Sequence, residues 1–176
     1  MNLIFILSGI FIVLGATAFL ILEISVTIIG HYFGAPFIRS KKEKIQTMLE
    51  LAAIKSGETA VDLGSGDGTL IIEAVLRGAK GIGVEINPLL IWYSRFKTRQ
   101  LRFSDKIRFI RGDFRKFSLK EADVVFIYLW PETIEKLKSK LQQELKPGAR
   151  IVSNSFPITG WKPIMEGEKV YLYQKH

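Results

Sequence analysis

The sequence predicts an α/β protein, a doubly wound seven-stranded sheet with a C-terminal antiparallel hairpin, preceded by one N-terminal transmembrane helix. Three observations predict it. Between residues 40 and 154, segments with helical apolar spacing alternate with short apolar strands, the signature of a parallel sheet covered on both faces. The stretch VDLGSGDG (61–68) is a glycine turn placed between one such strand and the next helix. Lastly, LIFILSGIFIVLGATAFLIL (3–22) contains no charge, and about twenty residues at about 1.5 Å each cover a hydrocarbon core of about 30 Å.

The N-terminal run is apolar on every side, which argues against a core helix. Met1 and Asn2 give it no basic leader, and the Ala16-Thr17-Ala18 triplet lies inside it, so it does not read as a cleaved signal peptide. Glu23 is the only charge before Arg39, whereas Arg39, Lys41, Lys42 and Lys44 follow at once. A positive flank on the C-terminal side orients the chain as a single-pass membrane protein whose C-terminal domain faces the cytoplasm. Glu23 falls near the inner interface, where a hydrated carboxylate is tolerated. The expected divisions are a membrane anchor over 1–30, in contact with the lipid bilayer, a connecting segment and first helix over 31–56, and the α/β domain over 57–176.

Within the soluble part, Ser40 to Glu43 has the spacing of a capping box, and Ile45, Met48, Leu49, Ala52 and Ala53 follow at helical intervals up to a stop at Gly57. A strand ending in VDL leads into the glycine turn, and a helix through Leu70, Ile71, Ala74 and Val75 closes at Gly78. GIGVE (81–85) is the second strand, and Pro88 opens a helix to about Arg102. KIRFI and ADVVFIYL supply the third and fourth strands, Pro131 to Leu145 a helix ended by Lys146-Pro147-Gly148, and ARIVSN the fifth strand. The tail GWKPIMEGEKVYLYQK reads as two strands around Glu166-Gly167-Glu168, an edge hairpin.

Composition removes whole classes of chemistry. The 176 residues include no cysteine, which excludes disulfides, thiolate nucleophiles and cysteine zinc sites. The two histidines, His31 and His176, flank the folded region, so neither a histidine-centred triad nor a metal site is expected. Net charge is +8, and the excess belongs to the soluble part, a surface that attracts nucleic acid, acidic proteins or an anionic bilayer.

Gly64, Gly66 and Gly68 let the backbone come close to a ligand at the carboxyl end of the first strand. A dinucleotide fingerprint needs a further glycine at position 69, where Thr69 stands. Asp62 precedes the turn, Glu85 closes the second strand and Asp113 the third. Three acids at successive strand ends suit S-adenosylmethionine, which carries a sulfonium, an amino-acid end and a ribose but no pyrophosphate. Asp62 faces its cationic end, Glu85 accepts from the ribose hydroxyls, and Asp113 accepts from the adenine amino group with Phe114 packed nearby. Ser65, Asp67, Ile86 and Asn87 complete this Rossmann-like cofactor site.

These motifs resemble the class I, seven-β-strand methyltransferases over roughly 57–176. More narrowly, GAPF (34–37), VDLGSGDG (61–68), EINPLLIWYSR (85–95) and SFPITGWKP (155–163) resemble the membrane-anchored protein lysine methyltransferases, mitochondrial enzymes acting on the ADP/ATP carrier and the ATP synthase c subunit, with prokaryotic relatives. The resemblance implies that Asp62, Gly64, Gly66 and Gly68 line the methionine end of the cofactor, Glu85 the ribose and Asp113 the adenine. Where that family tends towards a Pro-Thr pair after GAPF, this chain has Ile38-Arg39-Ser40.

Methyl transfer needs a neutral nucleophile held against the methyl group in a site that excludes water. No histidine is placed to take a proton, and no catalytic residue is singled out; desolvation of a lysine and release of its proton to water are favoured. Tyr128, Trp130, Phe156 and Trp161 are candidates for an aromatic substrate channel at the ends of the fourth and fifth strands. YLWPE replaces the Asn-Pro-Pro-Tyr motif of enzymes that methylate planar amides or adenine. A membrane-protein lysine is therefore the first substrate expected, a membrane lipid or quinone the second. RNA is third, on the basic set from Arg95 to Lys120, and a noncatalytic cofactor-binding scaffold stands last.

Overall fold

Helix α1, Leu3–Phe33, forms where the apolar run predicts a helix. The structure, a computed structural model, describes residues 3–33, 38–99, 101–102 and 104–176, and within α1 the side chains of 5–21 and 24. The predicted membrane span is not found: among the described residues no helix is long and apolar enough to cross a membrane. The side chains from Phe5 to Ile21 are described without a break. Within this stretch Thr17 donates to the carbonyls of Val13 and Leu14, so its hydroxyl is satisfied by its own helix. The side chains of Glu23 and His31, and all of Gly34 to Phe37, lie outside the described residues.

The chain divides into two units, Met1–Phe37 and Ile38–His176. The second is a seven-stranded sheet in the order β3-β2-β1-β4-β5-β7-β6. Its strands are β1 (Thr59–Leu63), β2 (Lys80–Glu85), β3 (Ile107–Arg111), β4 (Val124–Ile127), β5 (Arg150–Asn154), β6 (Met165–Gly167) and β7 (Val170–Gln174). The first five run parallel, and β7 lies antiparallel between β5 and β6 as the predicted edge hairpin requires, although Glu166 and Gly167 belong to β6 and the turn falls at Glu168-Lys169. Helices α2 (Lys42–Ala52), α3 (Thr69–Leu76), α4 (Pro88–Arg99) and α5 (Pro131–Glu144) connect or cover them. Chain order leaves β1 in both directions, so the crossovers place α3 and α4 on one face and α5 on the other.

Helix α2 belongs to this sheet rather than to a connector. Ile45, Met48, Leu49 and Ala52 recur at helical spacing, are buried, and join one cluster with Val152, Val170 and Leu172. Each large side chain so buried stabilises the fold by about 1.5–3 kcal/mol. The helix starts without the predicted capping box: Lys41 is its N-cap and contributes no side-chain bond, and Ser40 Oγ instead accepts from Asn154 Nδ2 at 3.5 Å. It also stops a turn before Gly57, at Ala53 in the left-handed region (φ 44). The reason is Arg150, whose guanidinium donates to the carbonyls of Ala52 and Ala53 at 2.7 and 2.8 Å and pairs with Glu58. A cation from β5 therefore supplies the stop that local sequence assigns to glycine.

Candidate functional site

The buried strand β1 delivers Asp62 and Leu63 to the loop at the head of the sheet. Gly64, Gly66 and Gly68 take φ of 87, 52 and 75, conformations that a side chain would strain. Gly64 N and Ser65 N both donate to Val84 O, at 2.9 and 3.0 Å, which folds the loop over the end of β2. Glu85 completes the attachment. Its Oε2 accepts from Gly66 N at 3.0 Å and its Oε1 from Asn87 N at 2.8 Å. Each oxygen keeps a lone pair for a further donor, so the predicted ribose contact remains chemically open. Asn87 Oδ1 in turn accepts from Leu89 N at 2.9 Å and starts α4, while Ile86, partly exposed, lies between the two anchored residues.

The floor of the site is acidic. Asp62 is buried and, among the described residues, makes no hydrogen bond or ion pair; burial first, then the charges of Glu85 and Asp67, push its carboxyl up to about 8. A group in that position gains from a cation and repels a phosphate. Ser65 Oγ is buried without a partner and is a second unmet hydrogen-bonding group in the loop. An unpaired acid, an unpaired hydroxyl and a glycine backbone fit S-adenosylmethionine and oppose a pyrophosphate. Asp62 would face its ammonium, Glu85 its ribose.

Two predicted acids are already engaged. Asp67 accepts from Thr69 N at 3.1 Å and from Arg39 at 2.7 Å, with Lys97 Nζ at 3.6 Å. Burial pushes its carboxyl up, but the Thr69 hydrogen bonds, the Lys97 charge and the Arg39 bond outweigh this and hold it below the usual range. It therefore acts as a strut for the loop. Asp113 stands at the end of β3 as predicted, yet both its oxygens accept from Arg115 at 2.8–3.0 Å and it caps the short 3-10 turn 114–116. The Arg115 hydrogen bonds hold its carboxyl low against a smaller burial effect. Phe114 beside it is buried.

At the ends of β4 and β5 the structure brings Trp130 and Phe156 together, with ring centres 5.7 Å apart. Trp130 is 44% exposed, so the pair opens to solvent. Phe156 is set by backbone strain: Ser155 takes φ 67, held by Ser155 N donating to Lys169 O at 2.7 Å and Ser153 Oγ to Phe156 O at 2.6 Å. Trp161 does not join the pair; it packs edge-on against Tyr173 at 6.0 Å. Tyr128 follows β4, half-buried, with no ring contact among the described residues.

Several residues that position the loop escape sequence reasoning. A Cβ on Gly83 would sit 2.6 Å from both Phe109 and Ser65 Oγ, and one on Gly68 would sit 2.5 Å from Phe109. The Phe109 ring therefore fills the space under the loop that only glycine leaves. Ser94 Oγ donates to Gly66 O at 3.1 Å, and Lys97 Nζ to Asp67 O at 3.0 Å and Thr69 Oγ1 at 2.9 Å. The only sequence signal for them is the regular spacing of 94 and 97 on α4 facing a glycine loop.

Comparison with known proteins agrees with this geometry. The model of the ANTKMT methyltransferase domain matches residues 62–165. The chain is 34% identical over 128 residues to the lysine N-methyltransferase of the ATP synthase c subunit from Xenopus laevis, covering 73% of this chain and 56% of that protein. It is 35% identical over 130 residues to a protein-lysine N-methyltransferase of Saccharolobus islandicus, covering 73% and 81%. Among solved structures, an RNA methyltransferase from Salinibacter ruber bound to S-adenosyl-L-homocysteine is 34% identical, with a TM-score of 0.73 over 78% of this chain and 92% of that one. The chain thus spans little more than half of the Xenopus relative's length.

Proposed function

We propose a lysine methyltransferase activity for this chain, which belongs to the ANTKMT methyltransferase-domain family. The substrate is the ε-amino group of lysine in a membrane-associated protein, and the cofactor is S-adenosylmethionine. When bound, that cofactor supplies an electrophilic methyl group on a cationic sulfur. Asp62 and Glu85 orient it, and the glycine loop lets it lie close against the backbone. Trp130 and Phe156 carry the reading: an exposed aromatic pair beside an acid-floored loop holds a lysine ammonium on its ring faces, then disfavours that charge as water leaves. The lysine proton departs to solvent before its nitrogen attacks. The names of relatives support a membrane substrate, since one acts on the ATP synthase c subunit and another, 34% identical over 146 residues in Mus musculus, on the adenine nucleotide translocase.

Membrane localisation with the domain on the cytoplasmic side belongs to the same proposal. Phe5, Phe11, Ile12, Leu14, Phe19 and Ile21 of α1 are exposed and apolar, a surface that water does not favour. RNA is the second reading, favoured by the name of the Salinibacter ruber neighbour. Against it, the arginines Arg108 and Arg111 sit on edge strand β3, separated from β4 by β2 and β1, on the order of 14 Å at normal strand spacing. The deciding experiment incubates the protein with methyl-labelled S-adenosylmethionine and isolated membranes or total RNA. Label on lysine side chains supports the proposal, and label confined to nuclease-sensitive material overturns it.

A further inference from the structure

We propose that the outward face of α4 is a docking surface for an anionic lipid bilayer. Leu89, Trp92, Tyr93 and Phe96 are 52%, 65%, 42% and 50% exposed. Their spacing is i, i+3, i+4, i+7, so they form one stripe, while Ile91, Ser94 and Thr98 are buried on the opposite side. A helix that needs only one apolar face to pack has here a second one, built from three aromatics and a leucine. Basic side chains border it. At about 100° per residue, Lys97 falls on one edge of the stripe and Arg99 on the other. Lys97 Nζ lies 5.4 Å from the Tyr93 ring centre.

The basic border continues onto the sheet edge. Arg95, Arg108 and Arg111, with Thr98 and β3, line an open cavity of about 570 Å³. Arg95 donates to Phe109 O at 2.7 Å, which fixes its guanidinium at the rim. Among the described residues none of Arg95, Arg99, Arg108 and Arg111 is paired with a carboxylate within salt-bridge distance. An aromatic stripe at the level of the headgroups, bordered by Arg99 and by the sheet-edge arginines that reach lipid phosphates, with Lys97 held at the glycine loop on the other edge, is the arrangement of an interfacial helix. Single-stranded RNA fits less well. It stacks bases on free ring faces, whereas Trp92 and Phe96 stack on each other at 5.8 Å and 15°, and Leu89 has no ring face to offer.

The sequence contains no cysteine, so one engineered cysteine can carry an environment-sensitive fluorophore without side reactions. The full chain is labelled at Leu89→Cys or, as a control, at Gln142→Cys, exposed on α5 of the opposite face. Vesicles are phosphatidylcholine alone or mixed with phosphatidylglycerol. The apolar surface of α1 can bring the chain to either vesicle, so total binding does not report on α4, but the label does. A several-fold brightening and blue shift at position 89 with anionic vesicles, weak with phosphatidylcholine, reduced by high salt and by Trp92→Ala with Phe96→Ala, supports docking. Equal responses at 89 and 142, or a response at 89 to single-stranded RNA and not to anionic vesicles, overturns it. S-adenosylmethionine titration of each variant confirms folding and keeps this outcome separate from the methyl-transfer reading.

Discussion

Asp62 concentrates the chemistry of the site in one carboxyl group. Its acidity is weakened from 3.8 to about 8 by burial and by two neighbouring acids, so it is largely protonated at neutral pH until a cation arrives. A cationic ligand favours the ionised form, so binding releases a proton, and affinity should rise by up to tenfold per pH unit as pH climbs towards 8. Calorimetry in buffers of different ionisation heat would measure the released proton. Asp62→Asn should lose this pH dependence and weaken cofactor binding by tens to hundreds of fold, about 2–3 kcal/mol. Folding carries the opposite sign: with its folded pKa above the unfolded one, Asp62 contributes most below pH about 4 and loses that contribution as pH rises towards 8. The Asn variant should therefore keep or gain thermal stability at pH 8. The placement of Asp62 and Glu85 at the head of the sheet was legible because each ends its strand beside the glycine turn. Asp113 and Asp67 looked the same in sequence, and only their contacts with Arg115, Arg39 and Lys97 reveal the difference.

At the scale of elements, the glycine loop depends on what lies beneath it. Gly83→Ala should destabilise the domain by about 1–3 kcal/mol in urea unfolding, because its methyl would meet Phe109 and Ser65 at 2.6 Å. Adding Phe109→Leu should recover part of that loss, as expected for two residues sharing one space. The hairpin offers a change in the other direction. Glu168 and Lys169 form its two-residue turn with φ 50 and 59, where glycine is at ease and lysine is not. Lys169→Gly should stabilise by up to about 1 kcal/mol, since it removes left-handed strain and keeps the carbonyl that receives Ser155 N. Strand and helix order was readable from pattern, because the helices carry apolar residues at helical spacing while the central strands β1, β4 and β5 are short, continuously buried apolar runs. Helix ends were not: Arg150, far along the chain, sets the end of α2, and Asn154 takes Ser40 away from its capping box. Long-range contacts of this kind leave no local signature.

The whole molecule joins an apolar helix to a basic domain, with net charge +8. Composition predicted an apolar segment and a basic domain, and alternation with a hairpin tail predicted a doubly wound sheet; the strand order itself comes from the structure. The aromatic face of α4 was not evident, because sequence alone does not separate the exposed Leu89, Trp92, Tyr93 and Phe96 from the buried Ile91. Docking of the basic domain on an anionic bilayer should make turnover on intact membranes fall as salt shortens the screening length from about 10 Å at 0.1 M to about 3 Å at 1 M. The same salt should leave cofactor affinity nearly unchanged, since Asp62 is buried.

The most direct measurement of the central claim is the chemical fate of the methyl group. The purified protein, isolated membranes and S-adenosylmethionine with an isotopically labelled methyl are incubated, and the membrane proteins are digested and sequenced by mass spectrometry. Labelled methyl-lysine should accumulate in membrane proteins, and its rate should fall by a hundredfold or so with Asp62→Asn, in line with a loss of about 2–3 kcal/mol of binding below saturation. Label recovered in lipid or RNA with lysine unmodified, or lysine methylation that proceeds equally with Asp62→Asn, would contradict it.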